Sequence, residues 1–303
     1  MTKCLAALLA TVVVSSSAIA DVLMEATPFH GSKLYRPADP GPHPAVIVLH
    51  GSEGGSLPYY ELEAQYLAAN GFVALAFCWY NCGKSPITGR YSPLENVELE
   101  KTLDAIKWLK SHPSVNGQKV GVEGFSRGAE QALVLGGLNE AIAALDAIAA
   151  HAGSDTVVSG FTWAAQDKRC WICVNFDLAC FRDTDQMKYW DWDRIKWNPS
   201  CGAYPKHPDH VVIPSWLWRG TPMTLGSRIE IEKFGKPVFL SVGNRDEVWD
   251  YKKTIRVGET LGAHGKPYEI HVFSGEHHNF SPANENIRHE RLVKFLKASL
   301  GGN

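Results

Sequence analysis

Neither sign of charge dominates this sequence: 30 Lys and Arg stand against 32 Asp and Glu, a formal net charge of −2 over 303 residues. No run of like charge forms a tail, so the electrostatic footprint of a nucleic-acid-binding protein is missing. Long apolar runs are missing too, and a membrane anchor needs about 18 such residues. Compositional bias is also absent. With 45% hydrophobic and 20% charged residues the chain is no disordered, collagen-like or coiled-coil protein. Its length suffices for a sizeable core without metals or oligomerisation, and α/β folds above about 250 residues are often single domains.

What is present begins with an export pattern. Lys3 gives a short positive start, residues 4–14 are apolar, and Ala18-Ile19-Ala20 before Asp21 fits a cleavage site. The alternative is an ordinary first helix of a cytosolic protein. The expectation is a cleaved signal peptide over residues 1–20, a single mature domain over 21–303, and a periplasmic or secreted location. Of seven cysteines, removal of Cys4 leaves Cys78, Cys82, Cys170, Cys173, Cys180 and Cys201. An even set in an oxidising compartment argues for structural disulfides, although six cysteines permit about fifteen pairings and spacing does not choose among them. Cys170 and Cys173 also have redox-pair spacing, and the four from Cys170 to Cys201 suggest zinc. No thioredoxin-like βαβ opening supports the first and no second tight pair supports the second, so no metal is expected.

Continuous apolar runs with β-branched residues mark strands at 45–49 and 72–77, with shorter ones around Val120 and Val122 and at 147–150, then 237–242 and 268–273. Strands apolar on both faces belong to a mostly parallel sheet covered by helices. Helical spacing fills the intervals at 60–69, 126–138 and 287–300. A further helix is expected from Ser92-Pro93-Leu94-Glu95, a capping pattern followed by Val97, Leu103, Ile106 and Leu109, until Pro113 stops it. The alternation predicts an α/β, doubly wound sheet. Between about 152 and 231 the rhythm fails. Seven of the ten tryptophans lie there, Trp163, Trp171, Trp190, Trp192, Trp197, Trp216 and Trp218, with four of the cysteines. So long a connection is expected to be a lid or cap insertion with a small core of its own.

Residues 124–128 read Gly-Phe-Ser-Arg-Gly after a strand and before a helix, the context a nucleophile elbow requires. The glycines permit a sharp turn that projects Ser126, and the helix N-terminus aims its free N–H groups at the same spot. The alternative for Ser126 is a plain helix N-cap. A serine nucleophile needs a base and an orienting carboxylate, which on such sheets follow in the order Ser, Asp, His. Asp246 follows the 237–242 strand, and His277 and His278 follow the last one, all at strand C-termini where ligands collect. Residues 50–55, His-Gly-Ser-Glu-Gly-Gly, supply the oxyanion hole, with the backbone N–H of Ser52, or alternatively Glu53, joined by that of Arg127.

These segments resemble the α/β-hydrolase fold and, more narrowly, the dienelactone hydrolase-like group, over about residues 33–300. The resemblance rests on residues 44–51, 124–130 and 275–280. In that group the catalytic His is followed by one residue and then Phe, which selects His278 over His277. Residues 215–220 (Ser-Trp-Leu-Trp-Arg-Gly) and 246–249 (Asp-Glu-Val-Trp) resemble the C-terminal domain of bile-acid-CoA:amino-acid acyltransferases and acyl-CoA thioesterases. The chain departs from these families in having Ser126 where dienelactone hydrolases and mammalian acyltransferases of the group carry Cys. The 170–201 segment is foreign to both patterns, and export would separate the protein from cytosolic acyl-CoA.

The expected activity is hydrolysis of a small-molecule carboxylic ester through an acyl-enzyme, with Ser126, Asp246 and His278 as the triad and no cofactor. No nucleic acid or membrane anchor is expected, and oligomeric state stays open. Two rivals remain: thioester hydrolysis or acyl transfer by the same residues, and a non-catalytic binding protein on this fold.

Overall fold

The computed structural model describes residues 21–55, 58–82, 94–115, 117–158, 160, 171–173, 195–197, 214–246 and 248–301. In chain order the first half comprises β1 (Val22–Ala26), β2 (Lys33–Pro37), β3 (Ala45–Leu49), α1 (Tyr59–Ala69), β4 (Val73–Phe77), β5 (Val97–Glu98), α2 (Leu99–Ser111) and β6 (Val120–Phe125). There follow α3 (Arg127–Gly136), α4 (Asn139–Ala144), β7 (Ala147–His151), β8 (Trp171–Cys173), β9 (Ile195–Trp197), β10 (Trp216–Trp218) and β11 (Thr221–Pro222). The chain closes with β12 (Val238–Gly243), α5 (Lys252–Ala263), β13 (Tyr268–Phe273) and α6 (Pro282–Leu300). None of the described helices is long and apolar enough to cross a membrane.

An eight-stranded sheet runs β1-β2-β4-β3-β6-β7-β12-β13. From β4 to β13 every pairing is parallel, while β1 and β2 join antiparallel at one edge. The period of two sorts each central strand onto two faces. Ala45, Ile47 and Leu49 of β3 share a cluster with Leu103, Ile106 and Leu109 of α2 and Ala129 and Leu133 of α3. Val46 and Val48 share the other with Tyr60, Ala64 and Leu67 of α1 and Leu292 and Leu296 of α6. Two covered faces explain why the strands read as unbroken apolar runs. All six strands expected from those runs form. β1 and β2 carry no such run: β1 reads Val-Leu-Met-Glu-Ala, part exposed throughout, at the open edge.

The helix expected to start at Ser92 instead starts at Leu99. Asn96 takes a positive φ of 50°, and Val97 and Glu98 pair in parallel with Trp216 and Leu217. Tertiary pairing overrides an apolar spacing that fits a helix equally well; Ser92 and Pro93 lie outside the described residues. The flanks of the expected insertion belong to the body. Val157, Trp216, Ile229 and Ile231 sit in the main core, and Val158 packs with Trp249. Trp216 is fully buried there, so it contributes to this core rather than to a separate one. Most of the interior of the insertion lies outside the described residues, including Cys170, Cys180, Cys201, Trp163, Trp190 and Trp192, as do the side chains of Trp171, Cys173 and Trp197. Among the described cysteines, Cys78 and Cys82 form a disulfide with Cα atoms 5.7 Å apart.

Candidate active site

Ser126 occupies the turn between β6 and α3 with φ 55° and ψ −115°, a strained backbone for any residue with a Cβ. The turn is sharp enough that a Cβ on Gly124 would lie 2.3 Å from the carbonyl oxygen of Gly128, and one on Gly128 would lie 2.3 Å from that of Leu49. Both glycines of the motif are thus demanded by backbone approaching backbone. The Ser126 N–H donates to the His151 carbonyl at 2.9 Å, and the Ser126 carbonyl accepts from the Glu130 N–H at 3.0 Å. The side-chain oxygen accepts a hydrogen bond from the indole Nε1 of Trp249 at 3.2 Å.

Asp246 and His278 meet as the order along the chain implies. His278 Nδ1 lies 2.8 Å from Asp246 Oδ2, and the Asp246 side chain is fully buried. Its other oxygen accepts the backbone N–H groups of Val248 (2.8 Å) and Trp249 (2.9 Å). The loops carrying the pair are interlocked: the Arg245 N–H donates to the Glu276 carbonyl at 2.8 Å. Glu276 in turn holds the start of α6, accepting from the N–H (2.7 Å) and hydroxyl (2.6 Å) of Ser281. The His278 ring packs against Phe125, centroids 4.9 Å apart, one residue before Ser126. His277 faces solvent, whereas His278 is 6% exposed.

A cavity of about 670 Å³ opens on these groups, bounded by Ser52, Glu53, Ser126, Arg127, His278 and Phe280 among others. The loop after β3 curls over it. Glu53 folds back so that its carboxylate accepts the Gly51 N–H at 2.9 Å. Burial raises the Glu53 pKa, opposed by its contacts with its own N–H and that of Gly51 and by charge on His278. Gly55 donates to the Tyr80 carbonyl at 2.9 Å, and Cys78 Sγ would lie 2.1 Å from a Cβ on Gly55, so the Cys78–Cys82 turn buttresses the loop. His50 at the strand end is held neutral, its pKa lowered to about 4 by burial. Its Nδ1 lies 2.9 Å from the Gly51 carbonyl, and its Nε2 accepts from the Trp79 N–H at 3.3 Å.

Deeper in the cavity, between α1 and α6, Glu63, Glu285 and His289 are the described residues that could share a metal ion. Arg288 binds the same carboxylates, at 3.0 Å to Glu63 and 2.6 Å to Glu285, so the positive charge is already supplied by the protein. Glu123 completes the group 3.6 Å from Arg288, with its pKa raised to about 8, chiefly by burial and then by Glu63.

Residues whose importance sequence spacing did not reveal lie under the elbow. Arg127 and Glu130, 1% and 0% exposed at the side chain, form an ion pair of 2.6 Å. Glu130 Oε1 also accepts the Val158 N–H (2.9 Å) and the Trp216 indole (2.8 Å), while the Arg127 guanidinium lies 5.2 Å from the Trp216 ring centre. Trp216 was visible among the tryptophans of the expected insertion and in the Trp-x-x-Arg-Gly segment, and Trp249 in the Asp-x-x-Trp segment. The Arg of the first, Arg219, is exposed and pairs with Glu140 instead.

Comparison with known proteins agrees with this architecture. The family described as "BAAT / Acyl-CoA thioester hydrolase C terminal" matches residues 97–287, and the dienelactone hydrolase family matches residues 31–159. The mitochondrial acyl-coenzyme A thioesterase 2 of Mus musculus is 35% identical over 111 residues, 37% of this chain and 23% of that protein. The matched stretch thus spans about a quarter of its length. A structure assigned as a dienelactone hydrolase of Klebsiella pneumoniae superposes with a TM-score of 0.54 at 16% identity, covering 91% of this chain and 97% of that one. An esterase of Pyrobaculum calidifontis gives 0.58 at 16% identity, with 92% and 85% covered. At such identities the structures speak for the fold, and the family match for descent. The chain belongs to the BAAT/acyl-CoA thioester hydrolase C-terminal family, built on the α/β-hydrolase fold that dienelactone hydrolases share.

Proposed function

We propose that this protein is an exported serine hydrolase that cleaves a small carboxylic ester through an acyl-enzyme. The observation that carries the reading is the convergence on one cavity of a strained, buried Ser126 and a His278 oriented by Asp246. His278 removes the hydroxyl proton, Ser126 Oγ attacks the carbonyl carbon, and Asp246 holds the imidazole and stabilises its charged form. Arg127 and Ser52 offer backbone N–H groups to the oxyanion. Glu53 is the weaker candidate for the second donor, because its own N–H engages its carboxylate. The leader-like residues 1–20 and the Cys78–Cys82 bond support an oxidising location.

A second reading, thioester hydrolysis or acyl transfer by the same residues, is favoured by the family match and by the 35% identity to a thioesterase. The test uses oxidised protein from Asp21 onward with p-nitrophenyl esters of increasing chain length, an acyl-CoA series and added nucleophilic acceptors, beside Ser126→Ala. Turnover of oxygen esters lost in the variant supports the esterase. Preferential cleavage of acyl-CoA replaces it with the thioesterase, and acceptor-dependent loss of free acid with the transferase. Turnover unaffected by Ser126→Ala would rule out the serine mechanism.

A further inference from the structure

We propose that Trp249 is a catalytic residue of this site: its indole N–H holds the nucleophilic oxygen of Ser126 and stabilises the charge that develops there. The inference rests on the serine-hydrolase reading above and adds a fourth side chain to it. Trp249 Nε1 donates to Ser126 Oγ at 3.2 Å. The ring is 2% exposed and is fixed among Ala152, Val158 and Val242, with Val248 and Tyr251 against it. An indole nitrogen only donates. In this pair Ser126 Oγ therefore accepts, and the hydrogen of its hydroxyl stays available for another acceptor, the imidazole of His278.

Trp249 also works through its backbone. Its N–H donates to Asp246 Oδ1 at 2.9 Å, while Asp246 Oδ2 holds His278 Nδ1 at 2.8 Å. One residue therefore ties the carboxylate that orients the base to the oxygen that attacks.

The chemistry uses this donor twice. During attack, a lone pair of Ser126 Oγ forms the bond to the acyl carbon, the hydroxyl proton passes to His278, and the carbonyl electrons move onto the oxyanion. Until that bond is complete Oγ carries partial negative charge, which a fixed donor in a dry site stabilises without reorganising. The oxyanion electrons then return, the bond to the alcohol breaks, and the alcohol leaves with the proton from His278, giving the acyl-enzyme. In the second half His278 takes a proton from water as the water oxygen bonds to the acyl carbon, and on collapse the carbon–Oγ bond breaks with its electron pair left on Oγ. The indole N–H again meets that charge before His278 returns the proton. In the acyl-enzyme Oγ is an ester oxygen and a poor acceptor, so the contact is stronger in the transition states than in the intermediate between them. That difference is what accelerates a reaction.

The test compares Trp249→Phe with wild type and Ser126→Ala. Phenylalanine keeps an apolar ring in the same pocket and removes the donor together with part of the ring's volume. The first readout is the rate of covalent inactivation by a fluorophosphonate, which reports the reactivity of Ser126 without requiring the natural substrate, followed across pH. The expected result is inactivation slowed at least about tenfold by Trp249→Phe at every pH tested, with a lower melting temperature but a folded protein at the assay temperature. The second readout does not depend on the folding of that variant. The indole N–H resonance of Trp249 is expected to shift in Ser126→Ala and again when wild type is phosphonylated. Inactivation of Trp249→Phe as fast as or faster than wild type, or an indole resonance indifferent to Ser126→Ala, overturns the role of Trp249. Wild type that resists the reagent overturns the serine-hydrolase reading itself, and the inference with it.

Discussion

At Ser126 the backbone conformation and the chemistry depend on the same few neighbours. Gly128 has no room for a side chain: the nearest atoms to an added Cβ are the Leu49 and His50 carbonyl oxygens at 2.3 and 2.5 Å, both backbone. Gly128→Ala is therefore expected to displace α3 from β3 and lower stability by roughly 3 kcal/mol or more, seen as a large fall in melting temperature or failure to fold. A soluble variant with a wild-type melt would contradict the geometry. Asp246→Asn acts differently. The amide oxygen can still accept the Val248 and Trp249 N–H groups, but the amide nitrogen would face His278 Nδ1 as a donor and select the wrong tautomer. The expected outcome is a nearly unchanged melt with kcat reduced by roughly a thousandfold or more, and steady-state kinetics on the best ester checks it.

Among the elements, α3 is anchored through a charge pair rather than by apolar contact alone. Arg127 and Glu130 are both buried, and breaking such a pair leaves an uncompensated charge. Glu130→Leu is expected to cost roughly 3–5 kcal/mol, measured by chemical denaturation, and to harm stability more than Arg127 and Glu130 replaced together by apolar residues. If the single variant is no less stable than the double, the pair is not what anchors the turn. The loop above the site depends on the turn that follows β4. With Gly55 bonded to Tyr80 and packed on Cys78, replacing Cys78 and Cys82 by Ser should loosen residues 51–55. The expected result is a lower kcat in the double variant with the fold retained, and equal kcat in both forms would show that the loop needs no such support. These links also mark where sequence reading stops. Five of the six expected strands were legible because both faces are covered, β13 at the edge by its apolar run alone, and the candidates Ser126, Asp246 and His278 because each follows a strand. Val97 and Glu98 were misread because their partner strand, Trp216–Trp218, is remote in the chain, and the contact of Trp249 with Ser126 has no periodicity to announce it.

Across the whole molecule, α1, α6 and β6 are joined by one ionic group, buried at Arg288 and Glu123 and partly exposed at Glu285 and His289. His289 Nε2 lies 2.7 Å from Glu63 and 3.1 Å from Glu285, with Arg288 between the same carboxylates and Glu123 beyond it. Burial opposes the charge on His289, but hydrogen bonds to Glu285 and Glu63 prevail and raise its pKa from 6.5 to about 9. Because the folded state holds this proton more tightly than the unfolded one, its contribution is complete below pH 6.5 and is lost as pH rises towards about 9. Glu123, also raised, to about 8, acts in the same direction. The melting temperature is therefore expected to fall across that window, and less steeply in His289→Gln. Identical slopes would remove His289 from the account.

The buried pair beneath the elbow has one more consequence, for how such a protein can change. Val158 rests on it through the Glu130 carboxylate, and the Ser215 hydroxyl donates to the Val158 carbonyl at 2.5 Å. Two points 57 residues apart in the chain thus meet at a single doorway in the body. Closing such a loop costs free energy that grows only with the logarithm of its length, about 0.6 kcal/mol for each doubling. The doorway is thus a permissive junction where long or short passengers are nearly equivalent to the frame that carries them. The connection can therefore lengthen or shorten while Ser126, at the head of the helix that carries Glu130, keeps its geometry.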